Sequence, residues 1–235
     1  MPAILLKLSH RLLTLQHLIE NEYEHIWDCC CDHGHLGMSL LSKFAKVQSP
    51  ATIHFIDIVP ALMNEIDAKL TRFYPQSDFN WQVHCGDVSQ LPLEKTSKKQ
   101  LVIIAGVGGE LIQEFVTQIL KQHQHQTIDF LLCPVNEPYH LRQGLIALDL
   151  SLKSEQIIND NKRYYEALFV TNDAQNSTPI SAVGEQMWQA SNKQQQVINQ
   201  AYLTKTIAHY QRVKHKSRDC DIASRYINIK VTTSL

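Results

Sequence analysis

No run of about 18 apolar residues occurs in the 235-residue chain, so no stretch reads as a membrane-spanning helix. The start, Met1 to Lys7 followed by Leu8-Ser9-His10-Arg11, lacks the basic, apolar, then small-residue order of a secretory leader, and the expectation is a cytoplasmic protein. Gly-x-Gly-x-x-Gly and the P-loop Gly-Lys-Ser/Thr are both missing, which argues against a loop that cradles phosphates. Excess charge of one sign is lacking too: 22 Lys+Arg against 23 Asp+Glu give a net of -1, a total that offers no support for a nucleic-acid partner. Six cysteines, three of them consecutive at Cys29, Cys30 and Cys31, are no disulfide framework, because chain neighbours pair poorly. No Cys-x-x-Cys pair is present and successive strand residues point to opposite faces, so no metal is expected. Glycine is scarce at eight, yet six (Gly34, Gly37, Gly86, Gly106, Gly108 and Gly109) fall between residues 34 and 109, marking where backbone must turn or approach a ligand closely.

What is present is a 44% hydrophobic chain, long enough to bury a sizeable core. Leu5, Leu8, Leu12, Leu15, Leu18 and Ile19 recur at helical spacing and predict an amphipathic helix over residues 4 to 21. Strands are predicted at His25 to Cys29, Thr52 to Asp57, Asn80 to Cys85, Leu101 to Ala105 and Ile128 to Cys133, alternating with helices, of which one opens at Pro60 and another runs from about Glu137 to Leu148. Helices between strands mean parallel crossovers and a sheet covered on both faces. Ser151 to Ile158 and Arg163 to Thr171, joined by only Asn159-Asp160-Asn161, must form an antiparallel hairpin. The fold class is therefore α/β, a mostly parallel sheet with the layout of Rossmann-like methyltransferases, over residues 1 to 172. The polar stretch Asp173 to Ser181 reads as a linker, and a long helix is predicted from Gly184 to about Lys216, in a small helical segment over 184 to 235.

In open parallel sheets ligands lie outside the carboxyl ends of the strands. Four such ends are polar or glycine-containing: Asp28 to Gly34, Asp57, Cys85-Gly86-Asp87, and Gly106 to Gly109. An acid after the second strand suits ribose hydroxyls, Asp87 suits an adenine amine, and Asp28 and Asp32 suit the ammonium of a methionyl group. With no phosphate motif, this favours S-adenosylmethionine over NAD or ATP. At this level the chain is a methyltransferase on RNA, one on a small molecule or protein, or an RNA-binding protein with a decayed cofactor site.

Leu8-Ser9-His10-Arg11-Leu12, Asp28 to His33, Gly86-Asp87, Ile104 to Gly109, Cys133-Pro134-Val135-Asn136 and Tyr164-Tyr165-Glu166 resemble, in order and spacing, the motifs of the TrmK family of bacterial tRNA (adenine-22, N1) methyltransferases. The resemblance spans roughly residues 8 to 170 and implies S-adenosylmethionine as donor and tRNA as partner. It implies cofactor contacts at Asp28, Cys30, Asp32, His33, Asp57, Ile58, Gly86, Asp87, Val88, Ala105 and Gly106, and catalytic candidates at Asn136 and His33. The chain is a divergent member by this reading: Cys30 stands where the family has glycine and Cys31 where it has serine, and a side chain at Cys30 is expected to crowd the methionyl end. A stacking aromatic for the target base is expected at Tyr139.

The near-zero charge conceals a split. Residues 1 to 190 hold 14 Lys+Arg and 21 Asp+Glu, a net of -7, and residues 191 to 235 hold 8 against 2, a net of +6. A basic tail on an acidic domain is what phosphate-backbone contact requires. The candidate RNA contacts are Arg11, Lys205, Arg212, Lys214 and Lys216.

Overall fold

The computed structural model describes residues 7–20, 22–95, 99–176, 178–213 and 222–233. Helix α1 (His10–Leu18) is capped by Ser9, whose side chain accepts from Leu12 N at 3.3 Å. It starts later than the apolar spacing predicts, because residues 7 and 8 run as coil before the cap, while residues 4 to 6 lie outside the described residues. There follow β1 (His25–Cys29), α2 (His35–Ala45), β2 (Thr52–Asp57), α3 (Pro60–Phe73), β3 (Trp81–Cys85), β4 (Gln100–Ala105), α4 (Gly109–Gln122), β5 (Ile128–Cys133) and α5 (Pro138–Ala147). The hairpin is β6 (Ser151–Asp160) with β7 (Arg163–Thr171).

One seven-stranded sheet has the order β3-β2-β1-β4-β5-β7-β6, parallel except where β7 meets β5 and β6. This is the class I S-adenosylmethionine-dependent methyltransferase fold. Its strand order reverses between β1 and β4, which puts the crevice for a ligand at their carboxyl ends. Strand β4 illustrates why the sheet forms: Leu101 and Ile103 point into the cluster under α1, α2 and α3, while Val102 and Ile104 point into the cluster under α4 and α5, all fully buried. A run apolar at every position is what a strand covered on both faces requires. Strand β6 is longer than expected, since Asp160 pairs with Arg163 and only Asn161 and Lys162 remain in the turn, while β7 keeps its expected bounds. Both have positive φ, at 48° and 66°, the type I′ geometry that matches strand twist.

The polar stretch after Asn172 is no free linker. Leu152 N donates to Thr178 O at 2.8 Å, Asn176 Nδ2 donates to Leu152 O at 3.1 Å, and Ser151 bridges Pro179, so the stretch borders the outer edge of β6. The long helix also begins later than predicted. Residues 186–188 form a 3-10 turn and 189–190 a short strand β8 (Gln189–Ala190), and α6 runs over Lys193–Val213. Met187 and Trp188, assigned to that helix by their spacing, are instead buried in a third cluster with Tyr139, Ile157, Tyr202 and Tyr210. Helix α7 (Ile222–Ile227) adds Tyr226 to it, and β9 (Thr232–Thr233) pairs with β8.

A buried ion cluster fastens this segment to the sheet. Arg142 on α5 reaches Glu155 on β6 and Glu166 on β7 at 2.7 Å each and donates to Ser181 O at 2.9 Å. Burial opposes the guanidinium charge, but Glu166 and Glu155 more than offset that and raise its pKa. Tyr202 of α6 donates its hydroxyl to Glu166 at 2.6 Å, and Glu155 accepts from the amides of Glu185 and Met187.

Candidate functional site

After β1 the chain turns into α2 through five residues, of which Cys30, Asp32 and Gly34 have φ of 53°, 50° and 68°. Gly34 N bonds to Cys31 O at 2.7 Å, and Cys31 N reaches across to Ile56 O on β2. Asp28, 4% exposed, accepts from Gly37 N at 2.8 Å and so pins the first turn of α2 to its own strand. Burial pushes its carboxyl up to about 7, the Gly37 amide opposes this, and the charge of Asp57 adds to it. Asp57, ending β2, accepts from Val59 N at 3.1 Å and from Asp32 N at 3.3 Å, holding two strand-end loops together.

A cavity of about 340 Å³ opens between these loops and the end of β4. Of the expected cofactor contacts, Asp28, Cys30, Asp32, His33, Asp57, Ala105 and Gly106 line it. Ile58, Gly86, Asp87 and Val88 lie at the neighbouring strand ends outside that lining. Ile58 is 68% exposed, Asp87 accepts from Ser89 N at 2.8 Å, and the Val88 side chain is buried in the core. At the end of β4 the backbone is left-handed at Gly106, φ 97°, where a Cβ would meet only the Arg11 guanidinium at 3.8 Å.

Among the described residues Arg11 is the single Lys or Arg lining this cavity, against the acids Asp28, Asp32 and Asp57. Its place at a strand-end crevice far along the chain from the basic tail separates it from the other RNA candidates. Such a lining fits a ligand with one cation and several hydroxyls better than a phosphate. It holds no activated nucleophile. Burial, and then the charges of Asp57, Asp28 and Asp87, push the Cys30 thiol up to about 12, and the Cys29 and Cys31 thiols are raised as well. Among the described residues no group of three or more His, Cys, Asp or Glu is arranged to hold a metal ion.

The residue expected to crowd this cavity does face it, and its backbone shows how the chain accommodates it. Cys30 keeps a left-handed φ of 53° at the cavity wall, at a steric cost that glycine would escape.

A larger cavity of about 780 Å³ adjoins, bounded by the Pro134 to Pro138 loop, the start of β7 and helix α6. Val135 of its wall donates to Val107 O of the smaller cavity at 3.0 Å, and the Arg11 guanidinium lies 4.9 Å from the Tyr165 ring centre. Asn136 is exposed here, with its main-chain and side-chain oxygens 3.2 and 3.4 Å from Gly109 N. Gly109 has to be glycine: a Cβ would lie 2.6 Å from Glu137 O, a backbone atom with no freedom to yield. The two catalytic candidates are thus divided, His33 at the smaller cavity and Asn136 at the larger. His33 is 47% exposed, 3.7 Å from Asp32 and 3.8 Å from Glu65.

Tyr139 does not serve as a stacking platform. It is 6% exposed, its ring set against Tyr210 and Tyr226 beneath α6 and α7. Tyr164 and Tyr165, half-buried on β7, line the larger cavity instead. The Tyr164-Tyr165-Glu166 motif was the available signal, but only the hairpin's position shows that the Tyr164 ring lies under Lys205 of α6 while the Tyr165 ring turns toward Arg11. Lys205 also lines the cavity and Arg212 lies about two turns further along α6, whereas Lys214 and Lys216 fall outside the described residues.

Among the described residues no helix is long and apolar enough to cross a membrane. Comparison of the fold with solved structures finds TrmK of M. capricolum in complex with S-adenosyl-homocysteine, at 17% identity and a TM-score of 0.68, with 94% of this chain and 93% of that one covered. The m1A22 tRNA methyltransferase TrmK of B. subtilis is similar at 20% identity, TM-score 0.63, over 94% and 93%. Magnesium protoporphyrin IX methyltransferase of Synechocystis PCC 6803 with bound SAM aligns at 13% identity and TM-score 0.50, over 68% of this chain and 76% of that one. No curated protein matched the sequence. A family model described as a methyltransferase domain matches residues 8–168, which carry the sheet up to the middle of β7 and the ends of β1, β2 and β4 that form the smaller cavity. The chain therefore belongs to the methyltransferase-domain family.

Proposed function

We propose that the protein transfers a methyl group from S-adenosylmethionine to N1 of adenine 22 in tRNA. The observation that carries this reading is the extent of structural likeness. Two tRNA methyltransferases match it over 94% of its length, C-terminal segment included, whereas the small-molecule methyltransferase aligns over 68%. The motif resemblance and the basic C-terminal segment support the same substrate.

The smaller cavity fits the donor. By this reading Asp57 accepts from ribose hydroxyls, Asp28 and Asp32 face the ammonium, and Arg11 meets the carboxylate, a set of roles supported by their shared place in the cavity lining. When bound, the donor supplies an electrophilic methyl on a sulfonium. Adenine N1 brings an in-plane lone pair, so the N–C bond forms as the C–S electron pair returns to sulfur, and no residue has to remove a proton first. The protein's share is alignment and exclusion of water. Asn136 and the Gly106 to Gly108 backbone hold the base at the junction of the two cavities. N1 lies on the pairing edge, so the adenine has to be unpaired or extruded to reach them.

Two results follow from the geometry. Asp28 binds an ammonium as a carboxylate, so donor affinity should rise as pH climbs through about 7, by roughly eightfold between pH 6 and 7.5, and level off above. Calorimetry on the wild type and on Asp28→Asn, in which the rise should vanish, tests this. The same raised pKa means the folded state holds a proton that the unfolded chain has released, so this group's contribution to stability declines as pH rises from 3.8 to about 7. Cys30→Gly removes both the left-handed strain and a side chain from the cavity wall. It should tighten donor binding about fivefold, on the order of 1 kcal/mol. Unchanged or weaker binding would show that Cys30 makes a contact the donor uses.

The decisive experiment incubates the full chain with unmodified bulk tRNA and methyl-labelled donor, then maps the labelled nucleoside. The expected product is 1-methyladenosine at position 22. Label on guanine, or no transfer, would reject the reading.

A further inference from the structure

The larger cavity extends well beyond Asn136, and holding one adenine at its edge leaves most of it unexplained. Its inner wall is the Tyr164 ring, half-buried on β7, with Lys205 Nζ 4.4 Å from the ring centre. Lys162 and Arg163 line the hairpin side and His209 the helix side, all exposed. The acids in the lining are Glu137 and Glu166, and Glu166 is already engaged by Arg142 and the Tyr202 hydroxyl. A planar aromatic wall beneath a rim of cations matches one nucleotide unit, a flat base joined to a phosphate. An acidic peptide would satisfy the cations and leave the ring unused.

We propose that this cavity is a nucleotide pocket for the RNA residue adjoining the reactive adenine, its base stacked on Tyr164 and its phosphate held between Lys205 and the hairpin cations Lys162 and Arg163. The assignment rests on the proposed RNA substrate. Lys205 now covers the ring as an exposed cation, a weaker contact than base stacking, so an arriving base displaces it toward the phosphate. The two ends of the pocket come from β7 and α6, elements tied together by the Tyr202 to Glu166 bond, which gives the buried junction a direct bearing on RNA binding.

The test uses a seven-nucleotide single-stranded RNA with 2-aminopurine next to a central adenine, titrated into the full chain at several salt concentrations without donor. The fluorescence should be quenched on binding. Tyr164→Ala should lose about tenfold in affinity together with the quench, and Tyr164→Phe should restore both. Because the ring is partly packed and Tyr164→Ala is open to a folding defect, Lys205→Gln on the exposed helix face provides an independent arm. It should lower the salt slope by about 0.7, the share of one single-strand phosphate. The proposal is overturned by a quench that survives in Tyr164→Ala, by a Lys205→Gln slope equal to wild type, by no quench in the wild type, or by equal competition from heptaglutamate. If wild type fails to methylate tRNA yet shows the Tyr164-dependent quench, the assigned substrate position falls and the pocket stands.

Discussion

Asp57→Ala is expected to weaken S-adenosylmethionine binding by about 100-fold in calorimetry, with a far smaller change in thermal stability. The carboxylate ends β2 at the crevice and already accepts from Val59 N and Asp32 N at 3.1 and 3.3 Å. It thus sets the shape of two loops while leaving acceptor capacity for ribose hydroxyls. Bonds to a charged acceptor contribute roughly 1.5–3 kcal/mol each, and water re-entering the site recovers part of the loss. A net deficit of about 3 kcal/mol corresponds to roughly 100-fold in affinity. Asp57→Asn, which keeps the shape and removes the charge, should fall between the two. A loss under about threefold in Asp57→Ala would remove the ribose role.

Arg142→Leu should be the most destabilising single change in the protein. It leaves Glu155 and Glu166, each with a side chain wholly shielded from solvent, facing one another without the guanidinium that compensates them. Breaking a buried ion pair from one side costs about 3–5 kcal/mol. In a protein of this size that lowers Tm on the order of 10 °C. Adding Glu155→Gln and Glu166→Gln to Arg142→Leu should recover much of the loss, because the penalty comes from stranded charge rather than from a missing attraction. A Tm within about 2 °C of wild type for Arg142→Leu would mean that the cluster is hydrated and contributes little. The variant should also weaken RNA binding more than donor binding, because the cluster joins the sheet edge to the segment carrying α6.

Strands β2 and β4 were legible because each is a largely apolar run closed by an acid or a glycine, a pattern set by burial on two faces and by the ligand end of the sheet. Strand β5 is as apolar but closes at Pro134, and β3, at the sheet edge, carries the weaker signal of Gly86-Asp87 at its end. Thr52–Asp57, Ile128–Cys133 and Arg163–Thr171 match their expected bounds, and the acids at 28 and 57 do meet at one cavity. The C-terminal segment was less legible. Met187 and Trp188 sit at a spacing compatible with the helix that follows, and their burial in a 3-10 turn depends on Glu155 capturing the amides of Glu185 and Met187 from another element. Tyr139 misled for a related reason: its position beside Asn136 suggested the site, while α6 and α7 packing over it decided its burial.

By itself, then, the amino-acid order determined the sheet, the ends at which a ligand lies, and the unequal charge of the two ends of the chain. Those properties follow from local periodicity and composition, which each residue carries wherever it is placed. Tertiary structure alone decided that Arg11 borders the smaller cavity, that Tyr164 rather than Tyr139 faces the larger one, and that Cys30 takes a left-handed backbone at the wall of the smaller one. Each of these depends on which distant elements meet. Contacts such as Arg11 with Tyr165 on β7, or Tyr202 with Glu166, arise from packing between segments far apart in the chain, and no local pattern of residues encodes them.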